Sequence, residues 1–211
     1  MKVLGLKQLL SKNYRLLELS EGFKESLGEL EEVFVMIVWG QSGQGKSNFL
    51  MQFVKELCKH GLVMYVGLEE GHTKTMQNLI LRHLSNDENG RVRFADHGTT
   101  LEKLIAYLRK KKSPKYVIID SLQYLNITYD DYKKLKEMFP KKSFIFISHA
   151  KGKTPDGKTA DKIRYDAGLK IRVEGCMAFI LSRYGGTKNY VINEERAKRY
   201  WGKQFKKHLN R

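Results

Sequence analysis

Eight consecutive residues, Gly40-Gln41-Ser42-Gly43-Gln44-Gly45-Lys46-Ser47, fit the spacing G-x-x-x-x-G-K-[S/T] without a mismatch. Glycines at this spacing let the backbone turn tightly enough to aim successive N–H groups at one anion. A helix beginning where they end turns its positive pole toward the same point. The chemistry implied is polyphosphate binding. Lys46 reaches the outer phosphates of a nucleoside triphosphate as a point charge, and the Ser47 hydroxyl takes one position on Mg2+. A glycine-rich turn that binds nothing is the competing reading, and the context argues against it. An apolar run, Val33 to Trp39, precedes the loop, and a helical pattern of Leu50, Phe53, Val54 and Leu57 follows it.

Such a loop needs acidic partners, and the sequence supplies two candidate positions. Tyr116-Val117-Ile118-Ile119-Asp120 is a continuous strand-forming run that ends in a carboxylate, the pattern of a strand buried on both faces. Asp120 would hold Mg2+ against Ser47 and the phosphates, directly or through water. Earlier, Leu62 to Gly67 reads as a short strand running straight into Leu68-Glu69-Glu70-Gly71. Open α/β sheets place ligands at the C-terminal ends of their strands, so Glu69 or Glu70 can orient or deprotonate a water for attack on a γ-phosphate. On the residues alone, an equal reading makes the pair the acidic first turn of the next helix.

The remaining elements position these groups. Met76, Leu79, Ile80 and Leu84 mark a helix, Val92 to Ala95 a strand, and Thr99-x-x-Glu102 a capping box before Leu101, Leu104, Ile105 and Leu108. A helix through Tyr132, Leu135 and Met138 leads to a buried strand, Ser143 to Ser148, that ends in His149. Residues 150–162 hold Lys151, Lys153, Lys158 and Lys162 among Gly152, Pro155 and Gly157, the composition of a mobile basic loop. Leu169–Val173, Ala178–Leu181 and Tyr190–Ile192 read as antiparallel strands at the sheet edge. The basic tail after Glu194 is either a final helix with one packed stripe or a nucleic-acid contact. Residues 1–32 carry two short amphipathic patterns, a lead-in that packs on the core or docks on a neighbouring subunit.

With 211 residues, 41% of them hydrophobic, and three prolines, the chain can bury a sizeable core as one globular domain. Cys58 and Cys176 are isolated, which excludes a disulfide framework and a zinc finger and leaves two buried thiols. No signal peptide opens the sequence and no run approaches the ~20 apolar residues of a membrane span. The expectation is a soluble, cytoplasmic protein with no membrane partner. A net charge of +16 points to a polyanion such as nucleic acid, with solvated lysine-rich helix faces as the alternative.

Taken in order, GQSGQGKS, MYVGLEEG, YVIIDSLQYL, FIFISHAKG and FILSRYGG resemble the RecA-like ATPases, and among them the bacterial RadA repair ATPases and DnaB-type replicative helicases. The resemblance spans roughly residues 33–193. It implies an α/β fold, a mostly parallel twisted sheet flanked by helices with C-terminal antiparallel strands. That ATPase domain would cover 33–211, after a lead-in or linker segment over 1–32. It further implies binding and hydrolysis of Mg-ATP, coupled to single-stranded DNA in recombination, repair or replication, by a homo-oligomeric ring or filament. The catalytic glutamate falls on Glu69, with Glu70 beside it, and a γ-phosphate sensor on His149. The DNA-binding loop falls on 150–162, with Lys151, Lys153, Lys158 and Lys162.

Where RadA-like proteins carry Lys-Asn-Arg-Phe-Gly, this chain has Leu181-Ser182-Arg183-Tyr184-Gly185. The resemblance therefore keeps an arginine finger, Arg183, acting on a neighbouring subunit's γ-phosphate, and loses its lysine partner. The sequence has no counterpart of RadA's zinc finger or protease-like domain, nor of the N-terminal domain of DnaB helicases. Two other function classes stay open. One is an ATP-dependent assembly switch or loader that turns over slowly; the other is a small-molecule P-loop kinase, whose plan does not include a Glu69-Glu70 pair.

Overall fold

A computed structural model describes residues 3–210. In chain order the first half comprises α1 (Leu6–Leu10), α2 (Glu21–Leu27), β1 (Val35–Trp39), α3 (Lys46–Cys58), β2 (Val63–Gly67), α4 (Lys74–His83), β3 (Val92–Ala95) and α5 (Leu101–Leu108). There follow β4 (Tyr116–Asp120), α6 (Leu122–Leu125), α7 (Tyr129–Met138), β5 (Ser143–Ser148), β6 (Ala150–Lys151), β7 (Thr154–Pro155) and α8 (Lys158–Asp166). The chain then runs through β8 (Leu169–Glu174), β9 (Met177–Ser182), β10 (Tyr190–Val191), α9 (Glu194–Trp201) and a 3-10 segment, Gly202–His208.

Side chains alternate along an extended chain, and that alternation builds two cores. Met36 and Val38 of β1, Tyr65 of β2 and Ile145 of β5 face one side, where Phe49 and Phe53 of α3 and Leu79 of α4 cover them. Ile37 and Trp39, Val66, Ile119 and Phe146 face the other, against Leu104 of α5, Leu135 of α7 and Ile163 of α8. Each fully buried Leu, Ile or Phe contributes about 1.5–3 kcal/mol, so the sheet is held from both faces. Leu17, Phe23, Leu27 and Leu30 belong to the first core. The lead-in thus packs on the sheet from Leu17 onward, while Leu6 and Leu10 of α1 are 75% and 77% exposed.

The sheet has the order β10-β9-β8-β1-β5-β4-β2-β3. From β8 to β3 all neighbours are parallel, and β9 and β10 extend the sheet antiparallel. Leu169–Val173, expected within the antiparallel meander, lies in β8, which is antiparallel only to β9 and runs parallel to β1. The reason is α8, a crossover helix that carries the chain back to the starting end of the sheet, as parallel pairing requires.

Residues 150–162 are not the mobile loop that their composition suggests. They form the β6–β7 hairpin and the start of α8. The Trp39 indole N–H donates to the Lys153 carbonyl at 3.0 Å and the Gln41 amide to the Ala150 carbonyl at 3.2 Å. Ala160 and Ile163 bury one face of α8. Helix α5 is capped by Thr100, whose hydroxyl accepts from the Lys103 N–H, one residue later than the expected box.

Candidate functional site

β1 delivers the chain to Gly40, where a Cβ would lie 2.3 Å from the Val173 carbonyl oxygen, so the loop's close approach to β8 requires glycine. Gly45 ends the loop at φ +107°, in the left-handed region, one residue before α3. A second segment holds the loop's flank. The Gly175 N–H donates to Gln44 Oε1 at 2.6 Å and the Cys176 N–H to the Gln44 carbonyl at 3.1 Å. The Lys46 ammonium turns back onto the loop, donating to the carbonyls of Gly40 at 2.8 Å and Gln41 at 3.0 Å. Burial lowers its pKa, while the charges of Asp120 and Glu69 oppose that shift.

Asp120 ends β4 and pairs in register with Gly67 at the end of β2; the peptide bond that follows it is cis. The buried Tyr65 hydroxyl donates to Asp120 Oδ2. Burial nevertheless pushes the Asp120 carboxyl up to about 6, against the Tyr65 hydrogen bond and the Lys46 charge. The Leu68 N–H donates to the Asp120 carbonyl at 2.6 Å, which swings the following glutamates over the end of β4. Helix α4 begins only at Lys74, capped by the Thr73 hydroxyl, so Glu69 and Glu70 do not form its first turn. Both are exposed, but their neighbours differ. Glu69 Oε2 lies 3.1 Å from His149 Nε2, whereas Glu70 Oε2 accepts a 3.5 Å hydrogen bond from the Thr75 hydroxyl.

Ser42, Lys46 and Ser47 on one wall and Glu69, Glu70 and Asp120 on the other bound a cleft of about 340 Å3. Among the described residues, no three His, Cys, Asp or Glu side chains cluster as a self-sufficient metal cage. Mg2+ needs none, because it takes one or two carboxylates and draws its remaining oxygens from phosphate and water. Ser47 Oγ and Asp120 are the side chains that would hold it.

His149 follows β5, the strand between β1 and β4. Gln123, three residues beyond Asp120, ties it to the hairpin. Its amide donates to Ser148 Oγ and to the Asp156 carbonyl, both at 2.9 Å, and its Oε1 accepts from the His149 N–H at 3.4 Å. Lys151 and Lys153 are exposed on the hairpin and Lys158 on the first residue of α8. Lys162 lies one turn further along, 5.6 Å over the Tyr129 ring.

Arg183 is not part of this cleft. The pairings Met36↔Leu169 and Leu169↔Ser182 place it past the end of β9, beside the start of β1. That is the opposite end of the strand from the phosphate loop, roughly 15 Å away at ~3.3 Å per residue. It is exposed, and its Nη2 donates to the Tyr165 carbonyl at 3.4 Å. Four residues to which the sequence assigns no site role do reach the site: Tyr65 and Gln123 through the contacts above, and Arg82 and Arg196 as lining of the cleft. Gln123 stands within the segment that carries Asp120 and was open to notice. Arg196 has no local signal, since its neighbours there are distant in sequence.

No protein-family profile and no curated protein matches the chain by sequence. Solved structures match it in fold. The flagellar accessory protein FlaH from Methanocaldococcus jannaschii aligns with a TM-score of 0.60 at 17% identity, over 84% of this chain and 94% of that one. A KaiC-like protein from Pyrococcus horikoshii OT3 gives 0.59 at 17% identity, over 81% and 89%. The ATPase domain of G40P gives 0.59 at 15%, over 85% and 88%. The chain has the RecA-like fold.

Proposed function

We propose that this protein binds and hydrolyses Mg-ATP and couples turnover to single-stranded DNA. The observation that carries the reading is one cleft in which a complete phosphate loop faces Asp120 and a glutamate held by histidine. The loop's N–H groups and Lys46 take the triphosphate. Bound Mg2+ supplies charge neutralisation at the phosphates, with Ser47 and Asp120 as its protein ligands. Glu69 orients the attacking water: His149 engages one carboxylate oxygen and leaves the other to accept a proton or a hydrogen bond. Glu70, turned toward Thr75, supports the local turn.

His149 and Gln123 join this cleft to the β6–β7 hairpin, so Lys151, Lys153 and Lys158 sit where contact with a phosphodiester backbone can bias the catalytic glutamate. Assembly into a ring or filament would give Arg183, which lies too far from its own cleft to act there, a neighbour's cleft to reach. The exposed leucines of α1 suit the same subunit contact.

The test is ATP turnover with and without single-stranded DNA at two salt concentrations. Mg2+-dependent hydrolysis that DNA stimulates at low salt and less at high salt is the expected result. Tight ATP binding with negligible turnover would favour the assembly switch, and phosphate transfer only to an added small molecule would favour a kinase. No ATP binding sinks the reading.

A further inference from the structure

We infer that helix α9 completes the nucleotide site from within the same chain, with Arg196 as a second cation on the polyphosphate. The inference rests on the nucleotide reading above and adds a phosphate-binding group that no motif marks.

Three contacts fix α9 beside the phosphate loop. Gln52, on α3, donates its amide to the Ile192 carbonyl at 3.0 Å, and the Ile192 N–H donates to the Cys176 carbonyl at 3.0 Å. Ala197 is buried with Cys176 and Met177, the turn whose neighbouring N–H groups hold Gln44. Arg196, adjacent to that buried alanine, stands at the junction of two cavities that share Gly43. One is the cleft with Lys46 and Asp120; the other, about 400 Å3, is bounded by Gln44, Gly175, Cys176 and Tyr200.

Charge pairing separates Arg196 from its neighbours. Lys198 pairs with Glu194 at 2.6 Å and Arg199 with Glu195 at 3.4 Å. The Arg196 guanidinium has no hydrogen bond or ion pair among the described residues; only its backbone N–H is engaged, by the Asn193 cap. An arginine in the first turn of a helix also opposes the helix dipole, an arrangement that a bound anion relieves. A planar guanidinium matches phosphate oxygens in a two-pronged fashion that an ammonium cannot. Lys46 thus approaches the polyphosphate from α3 and Arg196 from α9. Arg196 acts in cis, and its role is separate from anything Arg183 does across a subunit boundary.

The experiment is calorimetric titration of the full chain with ATP and with inorganic tripolyphosphate, both with Mg2+, for wild type, Lys46→Ala, Arg196→Ala, Arg196→Lys and Arg109→Ala. Arg109 is exposed at the end of α5, away from the loop, and controls for the loss of one positive charge. Arg196→Ala should weaken both ligands about tenfold or more, the scale of one charge-assisted contact. Arg196→Lys should recover part of that loss, and Arg109→Ala should match wild type. If wild type binds, Lys46→Ala does not, and Arg196→Ala matches wild type, this inference is overturned and the nucleotide reading stands. Weaker ATP with unchanged tripolyphosphate overturns the phosphate assignment, because the arginine would then serve the nucleoside. An equal loss in Arg109→Ala overturns it too, as a field effect of net charge. A wild type that binds neither ligand removes the nucleotide reading and this one with it.

Discussion

Glu69 and Glu70 are adjacent carboxylates with different neighbours. His149 engages Glu69 at 3.1 Å, while Glu70 accepts from the Thr75 hydroxyl at 3.5 Å. Glu69→Gln should keep ATP affinity and slow hydrolysis by about 10²-fold or more, the usual scale for losing a positioned base, while Glu70→Gln stays within a few-fold of wild type. Measuring kcat and Kd for both variants decides, and the reverse pattern would move the base to Glu70. Asp120 gives a second expectation. Burial raises its carboxyl from 3.8 to about 6, so between about pH 4 and 6 the folded state holds a proton that the unfolded chain has already released. The stability of the unliganded fold should therefore fall as pH rises from about 4 through 6. Asp120→Asn should stabilise the unliganded protein by about 1–3 kcal/mol at pH 8 and by little at pH 4, read as the difference in melting temperature. Mg2+-dependent nucleotide binding should weaken below pH 6 in wild type, because the metal then competes with the proton. A pH-independent effect of the asparagine would remove the buried-carboxylate account.

Elements decide whether the lysines of 150–162 can act together. The β6–β7 hairpin is held by Trp39 and Gln41 from the phosphate-loop side and by Gln123 from the β4 side, so Lys151 and Lys153 ride on a fixed platform. Lys158 begins α8, and Lys162 instead faces Tyr129 of α7. If these cations contact a DNA backbone, binding is sequence-tolerant and falls steeply with salt. Neutralising Lys151, Lys153 and Lys158 should reduce the slope of log K against log salt by about 0.7 per lost contact on a single strand. Lys162→Ala, one turn further along α8 and over the Tyr129 ring, should change it less. An unchanged slope in the triple variant would move the DNA contact to the basic tail or abolish it. Composition misled here because glycine, proline and lysine describe a polar hairpin as well as a mobile loop. The spacing of Ala160, Ile163 and Ala167, all buried, was the signal for α8.

For the whole molecule the question is whether one chain contains a complete site. Its cleft has the phosphate loop, Glu69 and Asp120, while Arg183 lies at the opposite end of β1. A trans role predicts complementation. Arg183→Ala and Glu69→Gln chains should each be nearly inactive, and a mixture should recover part of the wild-type turnover, because some interfaces then pair an intact Glu69 with an intact Arg183. No recovery, at concentrations where the wild type assembles, would make a monomeric ATPase the better description.

A phosphate-loop pattern is a run of contiguous residues, so GQSGQGKS and the helix after it were legible from spacing alone, and so was the strand ending in Asp120. Buried parallel strands also announce themselves, since both faces must be apolar. The direction of β8 was not legible, because its alternating burial suits either pairing and only the path of α8 chooses. Nor were the groups that distant segments bring to the cleft. The Tyr65 hydroxyl meets Asp120 across two strands, Gln123 meets Asp156 across the hairpin, and α9 brings Arg196 to line the same cleft as Gly43. A local motif records what the chain does to its own neighbours in sequence; these contacts exist only because the sheet order brings distant segments to the same end, and that order is set by packing over the whole molecule.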